Sequence, residues 1–398
     1  MTSEQAANRQ TGSPNMPEAT HEAKEARPQM DLSKANQSKE REPKASELKA
    51  SESKAGGLDI NIEYSATEHS ATGHSAAAHR LQPDVTSQQW SSPSELPLYF
   101  LSVNYYSAAL LSDLMHTLES NQGVVIVNNS PSDRSVHGLA QQTYAGGQVT
   151  VLDAPGNDGF GAGCNLGLQW IYARSPNALV WLINPDTCLM PNAVNAIRQC
   201  FQQQVHDQNI AILGTPVLDA GGSVWFSAGQ FNRWTGSVSS STKIKSVKSK
   251  AATRGRPTST QWVSGCSIVF NLGELGHCPQ FDNTYFLYYE DCDLCERYRQ
   301  KGYIVAIAPV PLVVHAVSSI TSRYPSSKYV HATFSKLTFL RRHATPLALG
   351  LNLIYLLAQS IILRFIKPAV ARGRWIGIQH FLRGSRTHPA AASNYRSE

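Results

Sequence analysis

The amino-acid sequence predicts an α/β fold in which the strands of a parallel sheet alternate with helices. From about residue 96 onward, short apolar runs of strand length alternate with amphipathic stretches of helix length. Several of these runs end in a cluster of polar residues, and strands of such a sheet carry their ligand-binding loops beyond their carboxyl ends. The polar clusters are therefore the first candidates for a functional site.

The expected elements follow each other along the chain. The first are a strand over 98–103, a helix over 108–119, strands over 124–127 and 149–152, a helix over 159–173 and a strand over 179–183. A β-rich stretch over 211–234 follows, then a helix over about 290–302 and strands over 303–308 and 312–314. The recurring strand-helix order predicts a single α/β domain.

Composition divides the chain into three parts. Residues 1–95 are rich in Ser, Ala, Glu, Lys and Gln, and we expect this low-complexity tail to be disordered because it offers little apolar surface to bury. Residues 96–345 form the expected folded domain, in which the basic loop 238–260 is expected to be mobile. Residues 346–398 are expected to form a helical, basic extension.

Charge is distributed unevenly over these parts. Residues 1–95 carry 10 basic and 14 acidic side chains, residues 96–335 carry 15 and 14, and residues 336–398 carry 10 and 1. A nearly neutral domain with one strongly basic end suits contact with an anionic surface, either a membrane or a nucleic acid. No nucleic-acid-reading element accompanies the basic residues, so we expect an anionic membrane and no nucleic acid.

Cysteine usage bears on the compartment. The seven cysteines are an odd number and all lie between residues 164 and 295, and the N-terminus has no apolar run typical of a signal peptide. Reduced thiols in a cytoplasmic protein are the expected state.

Four polar clusters carry the candidate chemistry. They are residues 102–107 (SVNYYS), the glycine-rich stretch 157–167 (NDGFGAGCNLG), residues 182–187 (LINPDT) and residues 286–297 (FLYYEDCDLCER), the last followed by His315 at the end of a later strand. Glycine-rich turns let a backbone approach a phosphate, and a tight strand-to-helix turn is the alternative. A carboxylate such as Asp186 suits a divalent cation on a diphosphate, and a helix cap is the alternative.

Taken together, these clusters resemble those of a family-2 glycosyltransferase, in the rhamnosyltransferase-like branch, over roughly residues 97 to 345. The resemblance implies the GT-A Rossmann-like fold of nucleotide-diphospho-sugar transferases. It also implies a glycosyltransferase that transfers a sugar from a nucleotide-diphosphate donor to a saccharide or polyprenyl-linked acceptor. The expected cofactor is a divalent cation, Mg²⁺ or Mn²⁺.

The resemblance also implies roles for single residues. Asp291 corresponds to the general base and Glu290 to its supporting neighbour, while Asp186 and His315 correspond to the metal site. The residues expected near the donor nucleotide are Asn104, Tyr105, Asn128, Asn157, Gly159, Gly161, Gly163 and Asn165. Those expected near the acceptor are Gly265, Cys266, Tyr289 and Arg297. One base without a second nucleophile implies inversion at the anomeric carbon.

Two departures from the family pattern leave an alternative open. Asn128 stands where the family commonly has the Asp that contacts the nucleobase, and Asp186 is a single acid where most relatives have two. An amide can still hydrogen-bond a uracil or thymine. A degenerate glycosyltransferase fold that binds saccharide or lipid without catalysis is the competing hypothesis.

The apolar stretch 347–363 has basic residues on both sides. Three interpretations fit it: a helix lying in a membrane interface, a packed core helix, or a membrane span of minimal length. Basic flanks on both sides favour the interfacial helix, because a span would leave one of them on the non-cytoplasmic side. We therefore expect a peripheral protein on the inner face of the cytoplasmic membrane.

Overall fold

A computed structural model describes residues 96–118, 122–141, 144, 147, 149–241, 255–316 and 325–384. These residues belong to one compact unit, Pro83–Glu398. The expected disordered tail 1–95 lies outside the described residues, as do residues 242–254 of the expected mobile loop.

Fourteen strands lie within the described residues. They are β1 Leu98–Asn104, β2 Gly123–Asn128, β3 Val149–Asp153, β4 Leu179–Ile183, β5 Thr187–Leu189, β6 Ile210–Gly214, β7 Val217–Asp219, β8 Val224–Phe226, β9 Ala228–Asn232, β10 Ser237–Ser241, β11 Thr258–Ser259, β12 Ser267–Asn271, β13 Ile304–Ile307 and β14 Val313–His315.

The central sheet has eight strands in the order β11-β13-β6-β12-β4-β1-β2-β3. Strands β1 to β4 pair in parallel, β12 runs antiparallel to both β4 and β6, and β13 is parallel to β6. The order reverses between β1 and β4, and ligands of open α/β sheets bind at such a switch point. The sheet is therefore mixed, with its parallel half supplying the expected ligand edge.

Two smaller sheets flank this edge. The order β5-β14-β7-β8 forms a four-stranded sheet, and β9 with β10 forms a hairpin. Within the four-stranded sheet, β14 pairs antiparallel with β5 in a register that sets His315 opposite Thr187. This pairing brings the end of β14 beside the residues that follow β4.

The helices cover the sheet and extend beyond it. They are α1 Ala108–Met115, a 3-10 helix Ser135–Gln141, α2 Phe160–Tyr172, α3 Ala193–Phe201, α4 Leu272–Leu275, α5 Glu290–Gln300, α6 Pro325–His343, α7 Pro346–Ile366 and α8 Pro368–Leu382. Helix α2 packs directly on β1, since a Cβ at Gly167 would lie 2.2 Å from the Leu101 side chain.

The structure corrects two expected boundaries. Helix α1 ends at Met115 rather than near residue 119. Residues 238–241 and 258–259, expected within a mobile loop, belong to strands β10 and β11. The backbone of β10 pairs with β9 while its Ser side chains stay largely exposed, so polar composition did not prevent a strand there.

Helix α7 is longer than the predicted stretch 347–363 and is not a core helix. Only 17% of its most apolar 18-residue window is buried. Among the described residues it is one helix that is long and apolar enough to cross a membrane, judged by length and composition. Helices α6 and α8 pack against its other side through a cluster that includes Leu337, Leu356 and Ile378.

Candidate active site

Asp186 and His315 meet at the switch-point edge. Asp186 follows β4 and His315 ends β14, and Asp186 Oδ1 lies 3.1 Å from His315 Nε2. Both side chains are buried, and the backbone N–H of Ala316 donates to the Asp186 carbonyl. The structure therefore brings together the two residues that the sequence assigned to a metal site.

The donor set fits a divalent cation only in part. A carboxylate and an imidazole nitrogen are usable ligands, and His315 Nδ1 is a buried nitrogen without a hydrogen-bond partner. Within the described residues no group of three or more His, Cys, Asp or Glu side chains could hold a metal. Any cation held here would need further oxygen ligands, which a diphosphate can supply.

The start of helix α5 carries the acidic pair. Tyr288 and Tyr289 both have positive φ, 69° and 66°, and this unusual double turn leads directly into Glu290 at the first helical position. Non-glycine residues in that region cost energy and concentrate at functional sites. The turn aims Glu290 and Asp291 inward at a helix N-terminus, where negative charge is stabilised.

Asp291 is half-buried and linked to the central sheet. Its Oδ2 accepts from the backbone N–H of Gly265 at 2.9 Å, and its Oδ1 accepts from the N–H of Cys292 at 2.8 Å. Burial raises the pKa of Asp291, and the two backbone donors oppose that rise. A carboxylate with a raised pKa and partial exposure has the properties of a general base.

Glu290 is buried more deeply and is less well satisfied. Its Oε2 has no hydrogen-bond partner, and its side chain lies beside Gly161 of helix α2. Burial, followed by the neighbouring charge of Asp291, raises the pKa of Glu290. Ionisation of this buried carboxyl, which has no hydrogen-bond partner at Oε2, therefore destabilises the folded protein.

The backbone of Gly265 and Cys266 links the acidic pair to the residues that follow β4. Burial raises the pKa of the Cys266 thiol, and the charges of Asp186 and Asp291 raise it further. The Cys266 carbonyl accepts from the N–H of Asn184, just after β4. Residues Gly265 and Cys266 thus join the two halves of the site.

Two of the expected donor ligands form a buried polar network instead. Asn104 Nδ2 donates to Asn128 Oδ1, and Asn104 Oδ1 accepts from the N–H and hydroxyl of Ser107. Asn128 Nδ2 donates to Asp153 Oδ1 at 2.9 Å and to the Asp133 carbonyl. Both asparagines are fully buried, so their amides hold strand ends together and are not presented to a ligand.

The glycine-rich stretch is explained by packing. Gly159 has a φ of 101°, and a Cβ there would lie 2.4 Å from the Phe286 carbonyl oxygen. Added Cβ atoms at Gly161 and Gly163 would meet Phe281 and Asn129 at 2.9 and 3.0 Å. These glycines let α2 approach neighbouring segments of the protein.

Asn165 is likewise structural. Its Nδ2 donates to the Phe281 carbonyl and its Oδ1 accepts from the Phe281 N–H at 2.7 Å, in a buried position. This pair fixes the segment that leads into the double tyrosine turn. The expected donor contact is corrected to a clamp between α2 and that segment.

Other donor candidates remain accessible. Tyr105 is 41% exposed and packs edge-on against Tyr106, and Asn157 is half-buried in a turn that Gly159 closes. Asp153, which the sequence analysis missed, ends β3 beside them with a side chain 48% exposed. Hydrogen bonds from Asn128 and His137 lower the pKa of Asp153. Its position after a strand was the available signal.

The expected acceptor residues divide into two groups. Tyr289 borders Asp291 and packs on Phe339. Arg297 does not face the site, because its guanidinium binds the buried Asp293 carboxylate at 2.6 Å and the Gln280 carbonyl. Arg297 therefore holds the catalytic helix in place and is corrected from an acceptor residue to a structural one.

A family model described as "Glycosyltransferase like family 2" matches residues 105–337, more than half of the chain. The chain belongs to this family. It is a glycosyltransferase with the GT-A fold, and the predicted family, fold class and enzyme class are confirmed. Nothing supports the alternative of a degenerate binding protein.

Two curated relatives of this glycosyltransferase are informative. It is 26% identical over 242 residues to N-acetylglucosaminyl-diphospho-decaprenol L-rhamnosyltransferase of Mycobacterium tuberculosis, covering 54% of this chain and 74% of that protein. It is 20% identical over 240 residues to the low-salt glycan biosynthesis hexosyltransferase Agl10 of Haloferax volcanii, covering 60% and 73%.

Solved structures with a similar arrangement include GalNAc-T7 with UDP, GalNAc and Mn²⁺, at a TM-score of 0.45 and 10% identity over 62% of this chain. The glycosyltransferase spans 48% of that chain. S. aureus TarS 1–349 is similar at a TM-score of 0.38 and 10% identity, with coverage of 73% of this chain and 92% of that one.

Proposed function

We propose that this glycosyltransferase moves a sugar, rhamnose or another hexose, from a nucleotide-diphosphate donor to a lipid-linked or growing surface saccharide, with inversion at the anomeric carbon. The observation that carries the proposal is the contact of Asp186 with His315, which the backbone of Gly265 and Cys266 links to Asp291. The named activities of the two relatives support the choice of sugar and of a polyprenyl-linked acceptor.

Asp291 is the proposed general base. Its carboxylate takes the proton from an acceptor hydroxyl while that oxygen bonds to the anomeric carbon. The bond from that carbon to the diphosphate oxygen breaks on the opposite face, and the diphosphate leaves with the bonding electrons. The backbone N–H of Gly265 orients the carboxylate, and positioned proton transfer of this kind contributes about 10²–10⁴-fold.

Asp186 and His315 are the proposed protein ligands of Mg²⁺ or Mn²⁺. Bound there, the cation would neutralise the negative charge that develops on the leaving diphosphate. The chain's own contribution is a buried carboxylate and imidazole held in register by β5 and β14. Trp225 packs edge-on against the His315 ring and restricts its orientation.

The donor's nucleoside is proposed to lie near Tyr105, Asn157 and Asp153, beyond the ends of β1 and β3. The Asp153 carboxylate is an acceptor only, which matches the N3–H of uracil or thymine and not the N3 lone pair of cytosine. The Asn128 amide already makes hydrogen bonds within the protein, so the neighbouring Asp153 carboxylate is proposed to bind the nucleobase.

The proposed location is the inner face of the cytoplasmic membrane, where the enzyme is peripheral. Nucleotide-sugar donors would reach it from the cytoplasm, and a polyprenyl-linked acceptor would be held in the bilayer.

The experiment that tests the proposal is nucleotide release by purified protein with a panel of uridine and thymidine diphosphate sugars, in the presence of Mg²⁺ and a polyprenyl-diphosphate saccharide. We expect acceptor-dependent release with one of these donors and an inverted anomeric configuration in the product. Release that never depends on an acceptor, or a retained configuration, would contradict the proposal.

A further inference from the structure

One face of helix α7 is apolar and exposed along its whole length. Its exposed members recur every three or four residues and form a stripe about 30 Å long: Leu347, Leu351, Ile354, Ala358, Ile361 and Phe365. The large side chains among them, and Ile366 at the C-terminal end, are 57 to 85% exposed. An uninterrupted apolar stripe of this size marks an interaction surface.

The uncharged polar side chains Asn352, Gln359 and Ser360 of α7 point the other way, toward the protein. Asn352 Nδ2 donates to the Thr235 carbonyl at 2.9 Å, and the Ser360 hydroxyl is buried. Gln359 Oε1 accepts from the Arg374 guanidinium of α8. The helix is therefore amphipathic, as interfacial helices are: its polar side packs on the rest of the protein and its apolar side faces outward.

A second exposed apolar side chain lies on a turn that contacts the polar side of α7. The turn between β9 and β10 carries Trp234, whose side chain is 72% exposed. The Thr345 N–H donates to the Arg233 carbonyl and Asn352 donates to Thr235, so the turn is fixed to the first half of α7. The turn therefore covers part of the polar side of α7 and leaves the stripe exposed.

The charge around the stripe identifies its partner. Residues 336–384 contain eight Lys or Arg and no Asp or Glu. Arg364, Lys367 and Arg372 are exposed at the C-terminal end of α7 and the start of α8. A second copy of the chain would bring the same positive charge to the contact, whereas an anionic lipid surface complements it.

We propose that the α7 stripe forms a docking surface that binds an anionic lipid bilayer and lies in its interface without crossing it. Crossing is disfavoured because α8 packs along α7 and would carry Arg374 into the bilayer. The inference rests on the proposed function, because docking would bring the enzyme to a lipid-linked acceptor in the bilayer.

The test is flotation of the full-length protein with vesicles of phosphatidylcholine alone or mixed with phosphatidylglycerol. We expect binding to the anionic vesicles and partial loss at high salt. The double substitution Ile354→Ser with Ile361→Ser should lower the bound fraction about tenfold. Val310→Ser is the matched control, because Val310 is an exposed apolar residue on the β13–β14 loop.

Four results would overturn the inference. The double variant could float like the wild type, or the wild type could bind neutral and anionic vesicles equally. The double variant could also turn a dimer into a monomer with unchanged flotation, which would assign the stripe to self-association. Resistance of the cellular protein to extraction by alkaline carbonate would contradict a docked, non-crossing helix.

The same variant separates this inference from the proposed function. Nucleotide release with a soluble acceptor in detergent should stay at the wild-type level in the double variant, while transfer to an acceptor embedded in vesicles falls. A wild type that floats but never releases nucleotide would refute the transfer reaction and leave the docking surface standing.

Discussion

His315 Nε2 lies 3.1 Å from Asp186 Oδ1, although the two residues are 129 positions apart in the chain. The antiparallel pairing of β14 with β5 sets this distance, because it aligns His315 with Thr187. A carboxylate and an imidazole buried in contact at a sheet switch point form the polar centre from which the proposed donor chemistry follows.

The first prediction concerns the proposed cation. EDTA should abolish nucleotide release, and Mg²⁺ or Mn²⁺ should restore it. His315→Ala should lower the rate by about 100-fold, since metal stabilisation of a leaving group contributes several kcal/mol. Cys188→Ser, on the neighbouring strand β5, is the control and should keep its activity. Full activity in EDTA would show that the Asp186–His315 pair is only structural.

The second prediction concerns the proposed base. Asp291→Asn removes the proton acceptor while preserving its shape, so turnover should fall by about 10²–10⁴-fold. Donor binding, measured by calorimetry with the nucleoside diphosphate, should remain within about twofold of the wild type. The Gly265 N–H can still donate to the amide oxygen, so a folded protein is expected. Wild-type turnover in this variant would remove Asp291 from the mechanism.

How far the sequence predicts the site depends on whether a residue's partner is local. The start of α5 at Glu290 and the polar residues at strand ends follow from local patterns and were predicted. The family resemblance implied a donor contact for Asn165, yet its hydrogen-bond partner Phe281 is 116 residues away. Likewise, Gly159 is required by the approach of Phe286, which only the folded chain reveals.

Trp234 illustrates the same limit on the surface. A lone tryptophan in a polar turn carries no periodic signal, and the position of its turn is set by contacts with Asn352 and Thr345, which are more than 100 residues away. The apolar stretch 347–363, in contrast, was visible as a candidate helix. Its composition alone did not exclude burial in the core, which depends on how far the remaining helices cover it.

The third prediction concerns the stability cost of Glu290. Because burial raises its pKa in the folded state, the folded protein binds more protons than the unfolded one between pH 4.3 or so and that raised pKa. Stability from this group therefore falls as pH rises through that window. Glu290→Gln should raise Tm by roughly 2–4 °C at pH 8 and by less at pH 5, in thermal unfolding. A lower Tm at pH 8 would contradict the assigned environment.

The fourth prediction tests the corrected role of Arg297. Arg297→Gln removes the ion pair with the buried Asp293, which keeps its contacts with His343 and Tyr285. We expect a loss of about 1–3 kcal/mol in the free energy of unfolding, measured in urea, because a buried carboxylate loses a charged donor. The KM for the acceptor, measured at the same temperature, should stay unchanged. A raised acceptor KM with normal stability would return Arg297 to the acceptor site.

The fifth prediction concerns the nucleobase. If Asp153 accepts the N3–H of uracil or thymine, the wild type should bind uridine or thymidine diphosphate about tenfold or more tightly than cytidine diphosphate, as measured by calorimetry. In Asp153→Asn the amide can turn either its oxygen or its NH₂ group toward the base, so this ratio should approach one.

Asn128→Ser is the matched control for this prediction. It breaks the buried contacts with Asn104 and Asp153, so it should lower stability while the wild-type order of preference remains. The reverse pattern, in which Asn128→Ser changes the preference and Asp153→Asn does not, would return the base contact to strand β2.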